Sequence, residues 1–406
     1  MARLTVNDVN YKNKRVLIRV DFNVPLDKDG KITNDFRIVS SLPTIKKVLQ
    51  DGGSVICMSH LGRPKGEGYE ASFSLKPVQQ RLSELLKVPV LFAPDCAGKE
   101  AKELAGELKP GQVLLLENLR FYKEEKKNDP EFSAALASLG DAYINDAFGT
   151  SHRAHASTVG VTRHFDCVVS GLLLEKELIY LKDKLEDPTR PYTAILGGAK
   201  ISGKIDTIRH LMEKVDNLIV GGGMIFTFYK AMGYEIGKSL VEEDKIELAK
   251  EILEEVKKSK VNFLLPTDVV AAEAFDNDAA SQVVDIKNIP PESLGLDVGP
   301  ESIEQFAKII AESKTVLWNG PMGVFEMPNF AKGTEALCAA VADATGKGAV
   351  TLVGGGDSVA AVKKLGFSNK ISHVSTGGGA SLELISGLSL PAVAEISEKS
   401  CCCCCK

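Results

Sequence analysis

Two kinds of residue in this chain sit where they could hold phosphate. The first kind is cationic. Arg37 opens a helical stretch, His60 and Arg63 follow the apolar run SVICM, Arg120 follows QVLLLE, and Arg153 follows AYIND. Asp21 and Asn23 come directly after a further run, RVLIRV. Arginine suits phosphate and carboxylate because its planar fork donates two parallel hydrogen bonds to two oxygens. Any one of these arginines reads equally well as a scattered surface charge. Four of them, each placed near the end of a buried run, read as one anion-binding cleft.

The second kind is glycine accompanied by lysine. Gly197-Gly198 follow Ile195-Leu196, Gly221-Gly222-Gly223 follow Ile219-Val220, and Gly320-Pro321-Met322-Gly323 follow Trp318-Asn319. Gly354-Gly355-Gly356-Asp357-Ser358 follow Leu352-Val353, and Gly377-Gly378-Gly379 open another helical pattern. Glycine lets backbone N–H groups approach a phosphate closely, and a helix N-terminus adds positive potential. Within ILGGAKISGKID, Gly198 to Lys204 match the phosphate-loop spacing, but Ile205 stands where that loop has a hydroxyl for magnesium. A helix starting near Ala199 would put Lys200 and Lys204 on one face. On that reading the loop match is coincidental and the two ammonium groups serve phosphates directly. Asp357 is a ligand for a nucleotide's magnesium or a helix N-cap. None of the clusters contains G-x-G-x-x-G, which weakens a dinucleotide-binding reading.

Those residues need a scaffold, and the chain supplies one. Continuous apolar runs bounded by turns alternate with amphipathic stretches, the pattern of parallel strands buried on both faces. In the first part the runs are 15–20, 54–59, 89–94, 112–117 and 142–146; in the second, 192–197, 217–222, 261–266, 315–320 and 348–355. Strand–helix alternation of this kind predicts an α/β protein with two doubly wound, Rossmann-like parallel sheets. Such sheets bind ligands at the carboxyl ends of their strands, where the cations and glycines fall. A long helical segment, 172–190, separates the halves and stops at Asp187-Pro188.

The bulk composition agrees. A chain of 406 residues predicts about two domains. A net charge of −5 argues against general nucleic-acid binding. No run approaches the length of a membrane span, and the start of the chain does not read as a secretory signal. Cys57, Cys96, Cys167 and Cys338 stand singly in apolar surroundings, as expected of thiols in a reducing cytoplasm. The tail Cys401–Cys405 matches no defensible zinc spacing; a frayed end, an added tag and a metal- or thiol-reactive tail all remain open.

The segments RVDFNVP (19–25), SHLGRP (59–64), ENLRF (117–121), NDAFGTSHRAHAS (145–157), LGGAK (196–200), WNGPMGVFE (318–326), VGGGDS (353–358) and HVSTGGGASLE (373–383) together closely resemble phosphoglycerate kinase, over essentially the whole chain. The resemblance implies a domain at 1–171 that binds 3-phosphoglycerate, a connecting helix and hinge at 172–190, and a domain at 191–384 that binds ATP or ADP with Mg2+. It also implies that residues from about 385 to 406 pack back on the first domain, and that the protein is a monomer. Asp21, Asn23, Arg37, His60, Arg63, Arg120 and Arg153 match the family's phosphoglycerate site. Lys200 and Lys204 match its nucleotide-phosphate lysines. Gly198, Gly222, Asn319, Gly323, Glu326, Gly355, Gly356, Asp357 and Ser358 fall in its nucleotide site, with Asp357 near the metal and Glu326 near the ribose. Arg37 and Lys200, with backbone N–H groups at Gly355 and Gly356, would act on the transferring phosphoryl group. The attacking carboxylate is already ionised at neutral pH, so no catalytic base is required. Two rival readings are a dinucleotide-dependent dehydrogenase and a non-catalytic anion-binding protein.

Overall fold

The apolar runs become the strands of two six-stranded parallel sheets. The computed structural model describes residues 3–399, so the polycysteine tail lies outside the described residues. Contacts divide the chain into two compact units, Met1–Ile179 together with Ser389–Lys406, and Tyr180–Leu388.

The first unit contains β1 (Arg15–Val20), β2 (Ser54–Met58), β3 (Val90–Ala93), β4 (Val113–Leu116), β5 (Ala142–Asp146) and β6 (Val168–Ser170), in the order β3-β4-β2-β1-β5-β6. Every residue of β2 and β4 is buried, as continuous apolar composition requires of a strand covered on both faces. β6 was not expected, because three residues are too short to stand out as a run. The described end of the chain belongs to this unit: Leu4 N donates to Ser397 O at 2.8 Å, and Ala392 N donates to Ser151 O at 3.1 Å.

The second unit contains, in chain order, β7 (Tyr192–Leu196), β8 (Asn217–Val220), β9 (Asn262–Leu264), β10 (Asp268–Ala272), β11 (Ser281–Asp285), β12 (Leu294–Val298), β13 (Thr315–Asn319), β14 (Val350–Gly354) and β15 (His373–Val374). Its parallel sheet runs β15-β14-β13-β7-β8-β9. Counting only its own strands, this is the 3-2-1-4-5-6 order of the dinucleotide-binding fold, whose strand order reverses between β7 and β13. The core beneath it is built around Trp318, which is fully buried.

Two departures from the sequence reading concern this frame. The chain between β9 and β13 forms a separate three-stranded antiparallel sheet, β11-β10-β12. It was not anticipated because β11 is exposed along nearly its whole length and so carries no apolar run. The connecting segment is helical without a break, but its middle is of a different type. It is α-helical over Leu172–Leu178, π-helical over Ile179–Asp183, and α-helical again over Lys184–Glu186. Apolar periodicity cannot reveal a turn bonded five residues back instead of four. No helix among the described residues is long and apolar enough to cross a membrane.

Candidate active site

In the first unit four adjacent strands, β4, β2, β1 and β5, deliver side chains to one end of the sheet. Arg37 Nη1 donates to Asp21 Oδ2 at 2.5 Å, beside the end of β1. Asn23 Oδ1 accepts from Gly62 N at 2.8 Å, tying the loop after β1 to the loop after β2. Arg120, after β4, reaches the same loop and donates to Gly62 O at 2.8 Å. Arg153, after β5, is exposed, and its charge acts on Arg120. Asp21, Asn23, Arg37, His60, Arg120 and Arg153 are thus brought together. Arg63 is exposed, and no hydrogen bond or ion pair joins it to the others among the described residues.

Beneath them lies a buried network that the sequence reading missed. Arg19, on β1, is fully buried. Its guanidinium donates to Ser157 Oγ at 2.8 Å, to Val20 O, and to His60 Nδ1 at 3.2 Å. Ser157 donates in turn to Glu125, a fully buried carboxylate, at 2.6 Å. Because a guanidinium only donates, His60 Nδ1 must accept, and the proton of the neutral ring sits on Nε2. Burial, then Arg19, Arg120, Arg37 and His155, hold His60 well below its ordinary pKa, so it is neutral at pH 7. His155 is pushed down to about 3, chiefly by burial and then by Arg19, Arg120 and Arg153. Arg120 itself is lowered to about 10, first by desolvation and then by Arg19 and Arg153. Cations this crowded favour an incoming anion. Arg19 had a signal, a lone charge inside an apolar strand; Glu125, in a run of charged residues, had none.

In the second unit β14, β13, β7 and β8 are the adjacent contributors, and the donors are mostly backbone. Lys204 Nζ donates to Asn319 O and Oδ1, both at 2.7 Å, across the β7/β13 reversal point. Burial lowers its pKa to about 8, against an opposing pull from Asp357. The expectation that Lys200 and Lys204 share a helical face is not met. The helix begins at Ile205, with Lys204 at its N-cap and Lys200 upstream of the preceding turn. Glu242 accepts the amide hydrogens of Ile201 (2.6 Å) and Ser202 (3.1 Å) and holds that segment in place.

A cavity of about 300 Å³ has Gly198, Lys204, Asn319, Gly355, Gly356, Asp357 and Ser358 in its lining. An adjoining slot of about 330 Å³ shares Gly198 and Asp357 with it and is walled by Phe226, Leu240, Phe275 and Leu296. Gly222, Gly323 and Glu326 line the slot. Lys200 is exposed and lines neither. Asp357 is not the N-cap of its helix, Gly356–Lys364; Gly355 occupies that position, at φ +85°. Asp297, buried in the wall of the slot, accepts from Gly333 N at 2.8 Å and is pushed up to about 7 by burial.

The glycines divide into two groups. A Cβ on Gly320 would lie 2.1 Å from Gly197 O, and one on Gly222 would lie 2.5 Å from Gly198 N. These glycines let three turns pack backbone to backbone, with Gly198 N donating to Pro321 O at 3.0 Å and Gly222 N to Met322 O at 3.1 Å. By contrast, a Cβ on Gly356 or Gly378 would meet nothing within 4 Å. Only the second group faces open space.

The family model described as phosphoglycerate kinase matches residues 6–388. The chain is 59% identical to the phosphoglycerate kinase of Chloroherpeton thalassium over 397 residues, 98% of this chain and 100% of that protein. It is 57% identical to the cytosolic phosphoglycerate kinase of Triticum aestivum, over 97% of this chain and 98% of that protein. The solved structure of phosphoglycerate kinase from Coxiella burnetii superposes with a TM-score of 0.87 at 42% identity, covering 97% of this chain and 98% of that one. With matches spanning both sheets and the ends of their strands, the chain belongs to the phosphoglycerate kinase family and is a kinase.

Proposed function

We propose that the protein transfers a phosphoryl group reversibly between ATP and the carboxylate of 3-phosphoglycerate, giving 1,3-bisphosphoglycerate and ADP. The observation that carries this reading beyond family membership is the gathering of Arg37, Arg120 and Arg153 over the buried Arg19; desolvation first, and then Arg19 and Arg153, lower Arg120 to about 10. Such a group is electrostatically ready for a multiply charged anion. In this proposal Arg63, Arg120 and Arg153 hold the remote phosphate, and His60 offers its Nε2–H to orient the substrate. Asp21 and Asn23 set Arg37 and the Gly62 loop. The nucleotide takes the second unit, with its base in the apolar slot, Glu326 at the ribose and its phosphates beside Lys204, Asn319 and the amides of Gly355 and Gly356.

Chemistry at the transferring group then needs charge and alignment, not proton removal. The neutral His60 and the ion-paired Asp21 suit this, since neither is called on as a base. Arg37 and Lys200 would stabilise the migrating phosphoryl. That Lys200 is exposed in the structure supports a side chain that engages only with the ligands bound, on closure of the two units.

The residues present also fit Mg2+. Asp357 offers an exposed carboxylate at the cavity beside Lys204, and among the described residues no cluster of three or more His, Cys, Asp or Glu could cage a metal. A single carboxylate plus nucleotide phosphates is a usual setting for Mg2+. It would neutralise the phosphate charge there. We read the protein as a monomer, because each proposed site is completed by one chain, and as cytoplasmic, by likeness to the cytosolic relative from Triticum aestivum.

A coupled assay with ATP, Mg2+ and 3-phosphoglycerate, each omitted in turn, tests the reading. Acyl-phosphate formation dependent on all three is expected. Turnover that survives omission of 3-phosphoglycerate would sink it.

A further inference from the structure

Asp146 ends β5 and is fully buried, yet the reaction proposed above gives it no ligand to touch. Its Oδ1 accepts the amide hydrogens of Leu173 at 2.9 Å and Leu174 at 3.2 Å, in the first turn of the connecting segment. The amide of Leu172 goes to Thr44 Oγ1 at 2.9 Å, and that hydroxyl also lies against the Asp146 carboxyl. Gly171 N donates to Asn145 O at 2.8 Å. A Cβ on Gly171 would sit 2.2 Å from Asp146 Oδ1, so the approach is close enough to require glycine. The start of the connecting segment is therefore fastened at four successive amides.

The fastening points belong to elements that carry proposed substrate groups. Thr44 stands on the helix Phe36–Gln50, whose first turn holds Arg37. Asp146 leads into the loop that bears Arg153, His155 and Ser157. The division between the two units falls just beyond this helical turn, after Ile179, where the π-helical stretch begins. Burial raises the Asp146 carboxyl to about 7, with Thr44 and the amides of Leu174 and Leu173 pulling it back. Cys57 is the titratable neighbour that feels its charge. A carboxyl raised in the folded state destabilises the fold once the pH exceeds its unfolded pKa, and fully so above about 7. A neutral cap would not carry that cost.

We infer that Asp146, with Thr44, is a positioning residue that gears the connecting segment to the two elements bearing Arg37 and Arg153, so that closure moves those cations into place. The inference rests on the closure step of the proposed function.

Full-length Asp146→Ala, Asp146→Asn and Thr44→Val are compared with the wild-type protein in the coupled assay, by thermal unfolding, and by amide exchange at Leu173 and Leu174. For Asp146→Ala we expect kcat to fall about tenfold with both KM values within about twofold, as when only a conformational step is lost. The two amides exchange faster in the same variant. Thr44→Val shows a smaller fall, about threefold, of the same kind. Asp146→Asn retains an acceptor oxygen, keeps most of kcat, and is no less stable than wild type above pH 7. Wild-type kcat in Asp146→Ala, or a raised KM for phosphoglycerate at unchanged kcat, overturns the inference. Should Asp146→Ala not fold, Thr44→Val decides: faster exchange with wild-type kcat overturns it. A wild-type protein without turnover would fail earlier, in the parent assay, and would reject the proposed function itself.

Discussion

The two units present the same part of the same kind of sheet, the carboxyl ends of four adjacent parallel strands, but fill it with different chemistry. In the first, charged side chains do the presenting and need a buried understructure: Arg19, Ser157 and Glu125 beneath, Asp21 beside Arg37. In the second, backbone amides do the presenting, and the cation among them is the half-buried Lys204, leaning on Asn319. The difference teaches that a charge-lined site must spend residues on holding its charges, whereas a backbone-lined site must spend glycines on packing its turns. Gly197, Gly222 and Gly320, which read as phosphate binding, are of that packing kind.

The sharpest way to break this comparison is to substitute one glycine from each group. Gly320→Ala sets a Cβ against Gly197 O at φ +108° and should cost about 3 kcal/mol or more, read as a fall in unfolding midpoint or a loss of folded protein. Gly356→Ala has open space and an ordinary φ, and should leave stability unchanged or slightly raised. Equal damage from both would erase the distinction. Next in size is Arg37→Ala, expected to lower kcat about 100-fold, as when a donor to a developing charge is removed. A variant within about threefold of wild type would deny Arg37 that role.

Two smaller effects sharpen the comparison. Inorganic phosphate at ten times its Kd should raise the melting temperature by about 2 °C through the arginine cluster, and this shift should vanish in Arg120→Met. A shift retained in that variant would place the anion elsewhere. The smallest effect concerns Lys204, whose folded pKa is about 8 against an ordinary 10.5. Between those values the unfolded chain holds the extra proton, so this lysine's contribution makes stability rise with pH from about 8 to 10.5. A bound polyphosphate favours the charged form, so nucleotide binding near pH 8 should take up a fraction of a proton. Calorimetry in buffers of different ionisation enthalpy reads this uptake, and Lys204→Met should abolish it. Uptake that persists in the variant would assign it to another group.

What could be read along the chain were runs and neighbours. β1, β2, β4, β7, β13 and β14 announce themselves because a parallel strand covered on both faces must be apolar throughout. The ligand-facing residues follow because such sheets present the next few residues at one end. Local spacing failed at Lys200 and Lys204, where the helix starts only at Ile205 and the segment before it is held by Glu242, some forty positions away. It failed again at β11, which has no buried face to shape its sequence, and at Ile179–Asp183, where one turn changes its hydrogen-bond spacing.

The sequence by itself determined the family, the two parallel sheets and the residue types gathered at their ends, since each is written in consecutive residues. Only the tertiary structure decided that Arg19 and Glu125 underlie the arginine cluster, that His60 carries its proton on Nε2, and which glycines face open space. Those properties depend on partners 32 to 138 positions apart, and burial at the meeting point is what gives each contact its effect.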